Sequence, residues 1–141
     1  MSGHMNIRPI CDEDVEQVVA LWKLCELTRP WNDPYRDIDF ARGKVNSDIL
    51  VGFAGDKLIA SAMVGYDGHR GYAYYVSVHP DWQGKGLGET LMDRVESWLA
   101  GHGVWKINLM IRDDNEKVLG FYEELGYERG KTVQLGKSIE R

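Results

Sequence analysis

The stretch HPDWQGKGLGETLM, residues 79–92, constrains the fold of this 141-residue chain more than any other. Its three glycines alternate with Lys85 and Leu87, and a helical pattern follows at once. Because glycine has no Cβ, the backbone N–H groups of such a loop can approach a ligand closely. The N-terminus of the following helix adds partial positive charge at the same place. The stretch therefore predicts a strand, a loop and a helix that together form a cradle for an anionic group such as phosphate.

Two better-known glycine motifs do not fit this chain. The dinucleotide fingerprint GxGxxG would need its third glycine at Glu89, whereas Gly88 stands one residue earlier. The Walker loop requires four residues between its glycines, but GKTVQLGKS (130–138) has five, and no helical pattern follows it. A turn without a ligand is the remaining alternative to an anion site.

The periodicity of apolar residues predicts one mixed α/β sheet. The expected order is β-α-(α)-β-β-β-α-β-α-β, with Asp12 as the N-cap of the first helix. The predicted strands lie in residues 5–10, in three segments of 48–80 joined by turns at 55–56 and 67–71, in 104–111 (buried on both faces) and in 132–139. The predicted helices cover residues 13–27, 38–45, 87–100 and 112–127.

Composition disfavours several classes of protein. The net charge of −5 and the pI near 5.3 argue against a nucleic-acid partner, which requires a basic face. No apolar run approaches the ~20 residues of a membrane span, so no membrane partner is expected. Cys11 and Cys25 form no CxxC pair, which disfavours a disulfide or a metal site and is typical of the cytoplasm. Residues 1–4 (MSGH) are interpreted as a tag remnant, and residues 5–141 as a single domain.

Two motifs resemble those of the GNAT N-acetyltransferases. The pattern Gln/Arg-x-x-Gly-x-Gly/Ala of the family's acetyl-CoA loop is matched by Gln83, Gly86 and Gly88. The later motif of the family is matched by NEKVLGFYEELGYE (115–128), which follows at the family's spacing. The resemblance covers residues 6–137, almost the whole chain.

This resemblance implies the GNAT fold, with a mostly antiparallel sheet of about six to seven strands, about four flanking helices and a splay between strands 4 and 5. It implies acetyl-CoA as the cofactor and a primary amine as the acceptor, either a protein N-terminus or a small molecule. Relatives are often dimers, so a homodimer is compatible with it. TRPWNDP (28–34) and VGYDGHRG (64–71) resemble the bacterial YpeA-type branch, near the ribosomal-protein alanine acetyltransferases.

The resemblance also implies which residues bind acetyl-CoA. The backbone of the glycine loop, residues 83–88, would hold the pyrophosphate, strand residues before it the pantetheine arm, and the later helix the pantetheine and the sulfur. In that order, these residues are Gln83, Gly84, Lys85, Gly86, Leu87 and Gly88; Val76 and Val78; and Asn115 and Tyr122. No metal is implied.

Acetyl transfer from a thioester to an amine requires a neutral amine, aligned reactants, a donor for the developing oxyanion and protonation of the leaving thiolate. The oxyanion donor is expected to be a strand amide near Val76 to Val78. Tyr122 is the expected catalytic residue, a general acid for the thiolate; the alternative is a core aromatic residue. Where many relatives carry a carboxylate as general base, this chain has Tyr74 and Tyr75. The base therefore stays open between a water relay, Asp67 and His69.

The acceptor side is predicted from two loops. Residues 28–35 correspond to one wall of the family's acceptor groove, and YDGHRG (66–71) is expected to face it. The predicted substrate residues are Trp31, Asp33, Asp67, His69, Arg70 and Tyr74. The acidic residues of this region, Asp37 and Asp39 included, are either attractors of a cationic amine or solvated loop residues.

Two alternatives to direct transfer of the acetyl group remain. Cys25 could form a covalent intermediate, although no histidine pairs with it in the sequence. The chain could also be an acyl-CoA-binding module without activity, which would need the glycine loop but not Tyr122.

Overall fold

The computed structural model describes residues 4–140, and these form two compact units, the first ending at Met110 and the second beginning at Ile111. The predicted tag remnant therefore lies outside the described residues, apart from His4. The single domain predicted for residues 5–141 stays a prediction.

A five-stranded sheet organises the first unit. Its strands lie side by side in the order of the sequence, and every neighbouring pair is antiparallel except the last, which is parallel. The strands are β1 (Asn6–Pro9), β2 (Ser47–Ala54), β3 (Lys57–Tyr66), β4 (Gly71–Val78) and β5 (Ile107–Asn108). The predicted mixed, mostly antiparallel sheet is confirmed, but the expected number of six to seven strands is wrong for residues 4–140, which form five.

The four α-helices expected from the sequence are present. They are α1 (Val15–Leu24), α2 (Pro34–Ala41) and α3 (Leu87–Gly101) in the first unit, and α4 (Glu116–Glu124) in the second. α1 and α3 both pack against β3. Periodicity predicts one apolar face for each helix, and these faces consist of Val15, Val18, Val19, Trp22 and Cys25 for α1 and of Leu87, Leu91, Val95, Trp98 and Leu99 for α3. All of these are buried except Val15, Cys25 and Trp98, which are partly buried, and Leu21 and Met92 are buried in addition. Hydrophobic periodicity therefore predicted correctly which faces of α1 and α3 are buried.

Capping chemistry moves the start of α2 from the predicted position. The helix begins at Pro34, one turn before the predicted first residue, Ile38. Asp33 accepts a hydrogen bond from the N–H of Tyr35 at 2.9 Å, and proline is favourable in the first turn of a helix. The earlier start places residues 37, 40 and 41 on one face of α2.

A hydrogen-bonded ion pair fixes the chain where it enters α1. The predicted N-cap, Asp12, instead opens a 3₁₀ turn, Asp12–Asp14. The buried carboxylate of Asp14 accepts two hydrogen bonds from Arg8 (2.7 and 3.1 Å) and one from the N–H of Cys11 (2.8 Å). The hydrogen bond from Arg8 holds the pKa of Asp14 below its usual range.

Replacing Asp14 by alanine is expected to lower the free energy of unfolding at neutral pH by about 2 kcal/mol, because Arg8 and the N–H of Cys11 lose their partner. The folded pKa of Asp14 is lowered, so its contribution to stability is present above the ordinary Asp pKa of about 3.9. That contribution is lost as the pH falls through the lower folded pKa. Urea unfolding across this range should show a smaller loss on acidification in the variant than in the wild type.

Asp12 provides the matched control for this substitution. Its carboxylate pairs with Arg42 at 2.8 Å, but its side chain is 93% exposed. An ion pair of this kind contributes about 0–1 kcal/mol, so Asp12→Ala is expected to be nearly neutral. Equal losses of stability in the two variants would contradict a special role for the Asp14 carboxylate.

The last two predicted strands differ from the structure. The strand predicted over residues 104–111 is reduced to the two residues of β5, and Trp105 is 85% exposed rather than buried. Residues 132–139 belong to no strand, and Val133 and Leu135 lie exposed. An alternating pattern forms a strand only where a neighbouring strand completes its hydrogen bonds, and residues 4–140 provide no such partner for this segment.

β4 and β5 separate after two residue pairs. Gly71 pairs with Ile107 and Tyr72 with Asn108, and no described strand continues beside β4 on that side. The predicted splay between strands 4 and 5 is therefore present. It leaves one edge of β4, residues 73–78, without a partner strand, and this open β4 edge leads directly into the glycine loop.

Candidate functional site

The glycine loop adopts a backbone conformation that favours glycine. Gly84 and Gly86 have φ angles of +78° and +80°, in the left-handed region. A Cβ added to either residue would meet no atom within 4 Å, so lack of space does not explain the glycines. The conformation explains them instead, because other L-residues adopt it at a cost of about 1–2 kcal/mol. Gly86 is also the N-cap of α3, which begins at Leu87.

Six consecutive backbone N–H groups at this loop are free to bind a ligand. Within the described residues, none of the N–H groups of residues 84–89 donates a hydrogen bond. The N–H of Thr90 is the first to be engaged, and it donates to the carbonyl oxygen of Gly86 at 3.2 Å. These free donors lie at the positive end of the dipole of α3. The arrangement is suited to an anion with several oxygens, such as a diphosphate.

Two side chains form hydrogen bonds with the last residue of β4. Gln83 Nε2 donates to the carbonyl oxygen of Val78 at 2.9 Å, and Cys25 Sγ approaches the same oxygen at 3.4 Å. The Val78 carbonyl, predicted to contact pantetheine, thus already has two partners within the protein. Burial raises the pKa of the Cys25 thiol, which disfavours the thiolate that a covalent intermediate would need.

A β-bulge interrupts β4 before it reaches the glycine loop. Tyr74 pairs with Met63 of β3, whereas Ser77 pairs with Ser61. Two residues of β4, Tyr75 and Val76, therefore lie opposite one residue of β3. Tyr75 has a φ of +53°, which is unfavourable for a bulky residue and costs of order 1–3 kcal/mol. Strain of this size persists only where surrounding contacts hold it.

Tyr75 is held at one face of its ring and at its hydroxyl. The ring stacks on that of Trp22, with centroids 3.8 Å apart and planes within 6°. The hydroxyl donates to Asp37 Oδ2 at 2.7 Å. Burial, followed by the hydrogen bond to Asp37, raises the pKa of Tyr75 well above its usual value. The phenol therefore stays protonated and keeps donating to Asp37 at neutral pH.

A buried hydrogen-bond chain lies below the bulge. Trp22 Nε1 donates to Ser61 Oγ at 2.8 Å, and Ser61 Oγ lies 3.1 Å from Ser77 Oγ. All three residues are at most 5% exposed. These hydrogen bonds connect α1, β3 and β4, and so they fix the position of the Trp22 ring against Tyr75.

A cavity of about 480 Å³ lies beside the bulge. We call it the Tyr75 cavity; its lining residues are Leu27, Asn32, Asp37, Phe40, Ala41, Met63, Tyr74 and Tyr75. Its volume is in the range of small-molecule sites, roughly 300–1,000 Å³. Of the six predicted substrate residues, Tyr74 is the one that lines it.

The other predicted substrate residues lie elsewhere and have mainly local partners. Trp31 is 76% exposed, and Asp33 caps α2. Asp67 Oδ1 accepts hydrogen bonds from the N–H groups of Arg70 and His69, both at 2.9 Å, and these bonds lower the pKa of Asp67. Asp67 therefore stabilises the turn between β3 and β4, which is a structural role.

Two residues of this site were missed as site residues by sequence reasoning. Asp37 was one of several loop acids, and Tyr75 was noted only as a position without a carboxylate. A usable signal exists in the Asp-Pro pair at 33–34, which marks an N-cap and a first helical residue. A helix started there places Asp37 and Phe40 on one face.

The second unit contains the remaining two predicted residues. Asn115 is the N-cap of α4, and its Oδ1 accepts a hydrogen bond from the N–H of Val118 at 3.3 Å. Tyr122 is 7% exposed and packs edge-on against Phe121 and Tyr127. Burial raises the pKa of Tyr122 to about 12. Its side chain is therefore a phenol, and a potential proton donor, throughout the neutral range.

Two further classes of site are absent from the described residues. No three His, Cys, Asp or Glu side chains among residues 4–140 lie close enough together to hold a metal ion. None of the four helices in that range is long and apolar enough to cross a membrane.

Comparison with known proteins gives the same assignment as the two motifs. The chain matches the model of the acetyltransferase (GNAT) family over residues 15–127. An acetyltransferase of Yersinia pestis (strain Pestoides F) is 46% identical over 138 residues, which cover 96% of each chain.

Solved structures share the fold. AAC(6')-Iy, in complex with the bisubstrate analogue CoA-S-monomethyl-acetylneamine, has a TM-score of 0.81 and 18% identity over 96% of this chain and 99% of that one. The ribosomal-protein-S18-alanine N-acetyltransferase from Escherichia coli has a TM-score of 0.77 and 19% identity over 91% and 80%. Such low identities show the fold alone. The family match and the Yersinia relative show more: the chain belongs to the GNAT acetyltransferase family and is an N-acetyltransferase that uses acetyl-CoA.

Proposed function

We propose that this enzyme transfers the acetyl group to a primary amine by direct attack, with donor and acceptor bound at the same time. The observation that carries the proposal is the row of free N–H groups of residues 84–89 at the end of the open β4 edge. Both features belong to one continuous segment of the chain. They suit the two chemically different parts of coenzyme A, the charged diphosphate and the amide-containing pantetheine arm.

The glycine loop fits the diphosphate in shape and in charge. Two bare Cα atoms, Gly84 and Gly86, face open space, so phosphate oxygens can reach the backbone. The net charge of −5 makes the overall field unfavourable for an anion. We propose that the local dipoles of residues 83–88 overcome this field, with Lys85 as a further cation nearby.

The open β4 edge fits the pantetheine arm. An arm with amide groups can pair with an unpartnered strand as another strand would. Because the Val78 carbonyl is engaged by Gln83 and Cys25, we assign the pairing to the bulge region, above all to Val76, which has no register partner on β3. Asn115 is proposed as a further contact of the arm, on the family motif.

The thioester supplies an activated acetyl group, and the residues of this chain are proposed to direct its transfer. The N–H of Val76 donates to the carbonyl oxygen as negative charge develops there. The bulge presents this N–H at a fixed position, because Tyr75 is clamped by Trp22 and Asp37. Tyr122 gives its phenolic proton to the departing thiolate sulfur, and the proton that the amine nitrogen loses after its attack passes to solvent, from which the phenol is restored.

Calorimetry with acetyl-CoA and a thiol-release assay with a panel of primary amines test this proposal together. Binding of acetyl-CoA and amine-dependent release of thiol are expected. Binding without acceleration by any amine would favour the alternative, a binding module without activity. No binding of acetyl-CoA would overturn the proposal itself.

Replacing Cys25 by serine tests direct attack against a covalent intermediate. We expect kcat to stay within about threefold of the wild type, because a serine hydroxyl can still donate to the Val78 carbonyl while no thiolate is needed. Single-turnover mass spectrometry with acetyl-CoA alone should find no acetylated enzyme. A loss of kcat together with an acetylated Cys25 in the wild type would contradict direct attack.

Finer assignments are proposed on the family resemblance. They are the YpeA-type branch, near the ribosomal-protein alanine acetyltransferases, a single catalytic domain over residues 5–141, and a homodimer. Sedimentation of the full chain measures the last of these directly.

A further inference from the structure

We infer that the Tyr75 cavity binds the acceptor as a primary ammonium ion with an adjacent apolar group, and that Asp37 contacts the ammonium. This inference rests on the proposed acetyl transfer and names its acceptor class. The acceptor carries one positive charge and an aromatic or bulky aliphatic group. A free arylalkylamine and a peptide N-terminus with an apolar first residue share this chemistry.

A single carboxylate gives the cavity its charge. Asp37 is the one charged residue among the lining residues. Its Oδ2 accepts the hydroxyl of Tyr75, and its other oxygen accepts no hydrogen bond from residues 4–140. The nearby guanidinium of Arg29 donates instead to the carbonyl oxygens of Glu26 and Thr28, both at 2.9 Å. A half-buried carboxylate with a free oxygen is a partner for one ammonium group.

The remaining walls restrict what the ammonium is attached to. Leu27, Phe40, Met63 and the ring of Tyr74 present apolar surface to the cavity. Phe40 is 83% exposed, although phenylalanine is usually buried, and it stands one helical turn from Asp37. A polycation would have to place its further charges against these walls or Asn32, where no second carboxylate compensates their loss of water. The cavity therefore favours a monocation with an apolar group.

Tyr75 connects this cavity to the proposed reaction centre. Its hydroxyl orients Asp37, while its backbone forms the bulge next to Val76. Tyr75 is thus a positioning residue, because it acts on the ammonium through Asp37. The Tyr75 hydroxyl thus connects Asp37 on α2 with the β4 segment that carries the N–H of Val76. The bound ammonium loses one proton to solvent before its nitrogen attacks the thioester.

The test combines a binding experiment without acetyl-CoA and a rate measurement with it. Saturation-transfer NMR and titration measure binding of phenethylamine to the full chain. The thiol-release assay then compares phenethylamine, the peptide Phe-Gly-Gly amide, ethylamine and spermidine. We expect kcat/KM for phenethylamine or the peptide to exceed that for ethylamine about tenfold or more, and spermidine to be a poor acceptor.

Variants locate the ammonium contact. Asp37→Asn is expected to raise the Kd and the KM for the amine about tenfold or more, with the KM for acetyl-CoA unchanged. Tyr75→Phe keeps the ring on Trp22 and is expected to raise the amine KM about three- to tenfold. Asp39→Asn, an exposed acid of the same helix outside the cavity, is the matched control for the first change. Tyr35→Phe, whose exposed hydroxyl donates to Glu16, is the control for the second.

The outcomes separate this inference from the proposed function. If amines are acetylated but Asp37→Asn changes nothing, or if ethylamine or spermidine is as good as phenethylamine, the inference is wrong and acetyl transfer stands. If phenethylamine binds in an Asp37-dependent way but no amine is acetylated, the cavity assignment is supported and the proposed function fails. If phenethylamine and the peptide neither bind nor react, the inference is overturned whatever happens with acetyl-CoA.

Discussion

Replacing Gly86 by glutamate is expected to lower the affinity for acetyl-CoA about a hundredfold or more, the largest effect that we predict for a single change. The new carboxylate would stand at the N-terminus of α3, among the free N–H groups that we assign to the diphosphate. It would repel the phosphates and compete with them for the same donors. Isothermal titration calorimetry with acetyl-CoA measures the loss directly.

Gly103 provides a matched control at the other end of the same helix. It has a φ of +84°, and a Cβ there would meet nothing within 4 Å, as at Gly86. Gly103→Glu therefore imposes the same backbone strain, of order 1–2 kcal/mol, and adds the same charge far from the loop. It is expected to lower the melting temperature like Gly86→Glu but to leave the affinity for acetyl-CoA intact. Equal affinities for acetyl-CoA in the two variants would contradict the assignment of the diphosphate to the glycine loop.

Replacing Tyr122 by phenylalanine is expected to lower kcat about a hundredfold, while the KM for acetyl-CoA changes little. The substitution removes only the hydroxyl, whose proton we assign to the leaving thiolate. Because burial raises the pKa of Tyr122 to about 12, the acid form is fully present at neutral and mildly alkaline pH. The wild-type rate should therefore rise with pH as the amine loses its proton, and ionisation of Tyr122 should not lower it below pH 10 or so.

Tyr127→Phe is the control for this change, since the ring of Tyr127 lies 5.5 Å from that of Tyr122. Its kcat is expected to stay within about threefold of the wild type. If Tyr122→Phe behaves in the same way, Tyr122 is a packing residue, and the thiolate takes its proton from elsewhere. A parallel fall in stability and kcat would point to the same conclusion.

The sequence predicted best where a backbone requirement and a periodic pattern coincide. The glycine loop needs left-handed conformations, and only glycine adopts these at little cost, so its position is visible in the residue types alone. α3 follows with buried residues at every fourth position, from Leu87 to Leu99. The separation of β4 from β5 followed from the family resemblance rather than from any pattern in those strands.

The later part of the chain was predicted less well because pairing is not a local property. Residues 132–135 alternate between polar and apolar side chains, yet a strand also needs a neighbour, and the described residues supply none. The strand predicted over residues 104–111 carries enough apolar residues to be buried, but its Trp105 is 85% exposed. The residue types of a segment indicate whether it can form a strand, but they say little about which strand will pair with it.

The proposed acceptor site was hidden for a different reason. Asp37 and Tyr75 lie 38 positions apart, and no motif connects them. Their contact depends on the start of α2, which lies one turn before the predicted position, and on a bulge in β4, which shifts the register by one residue. A register prediction that is wrong by one residue turns a side chain to the other face of a sheet.

Trp22 should be kept in any attempt to raise the thermal stability of this enzyme. Its ring stacks on Tyr75 and its Nε1 donates to the buried Ser61 Oγ, so an aliphatic replacement of the same volume would remove both contacts and let the tyrosine tilt. A screen that measures only heat tolerance would not detect the displaced tyrosine, although the turnover of such a variant would be lower.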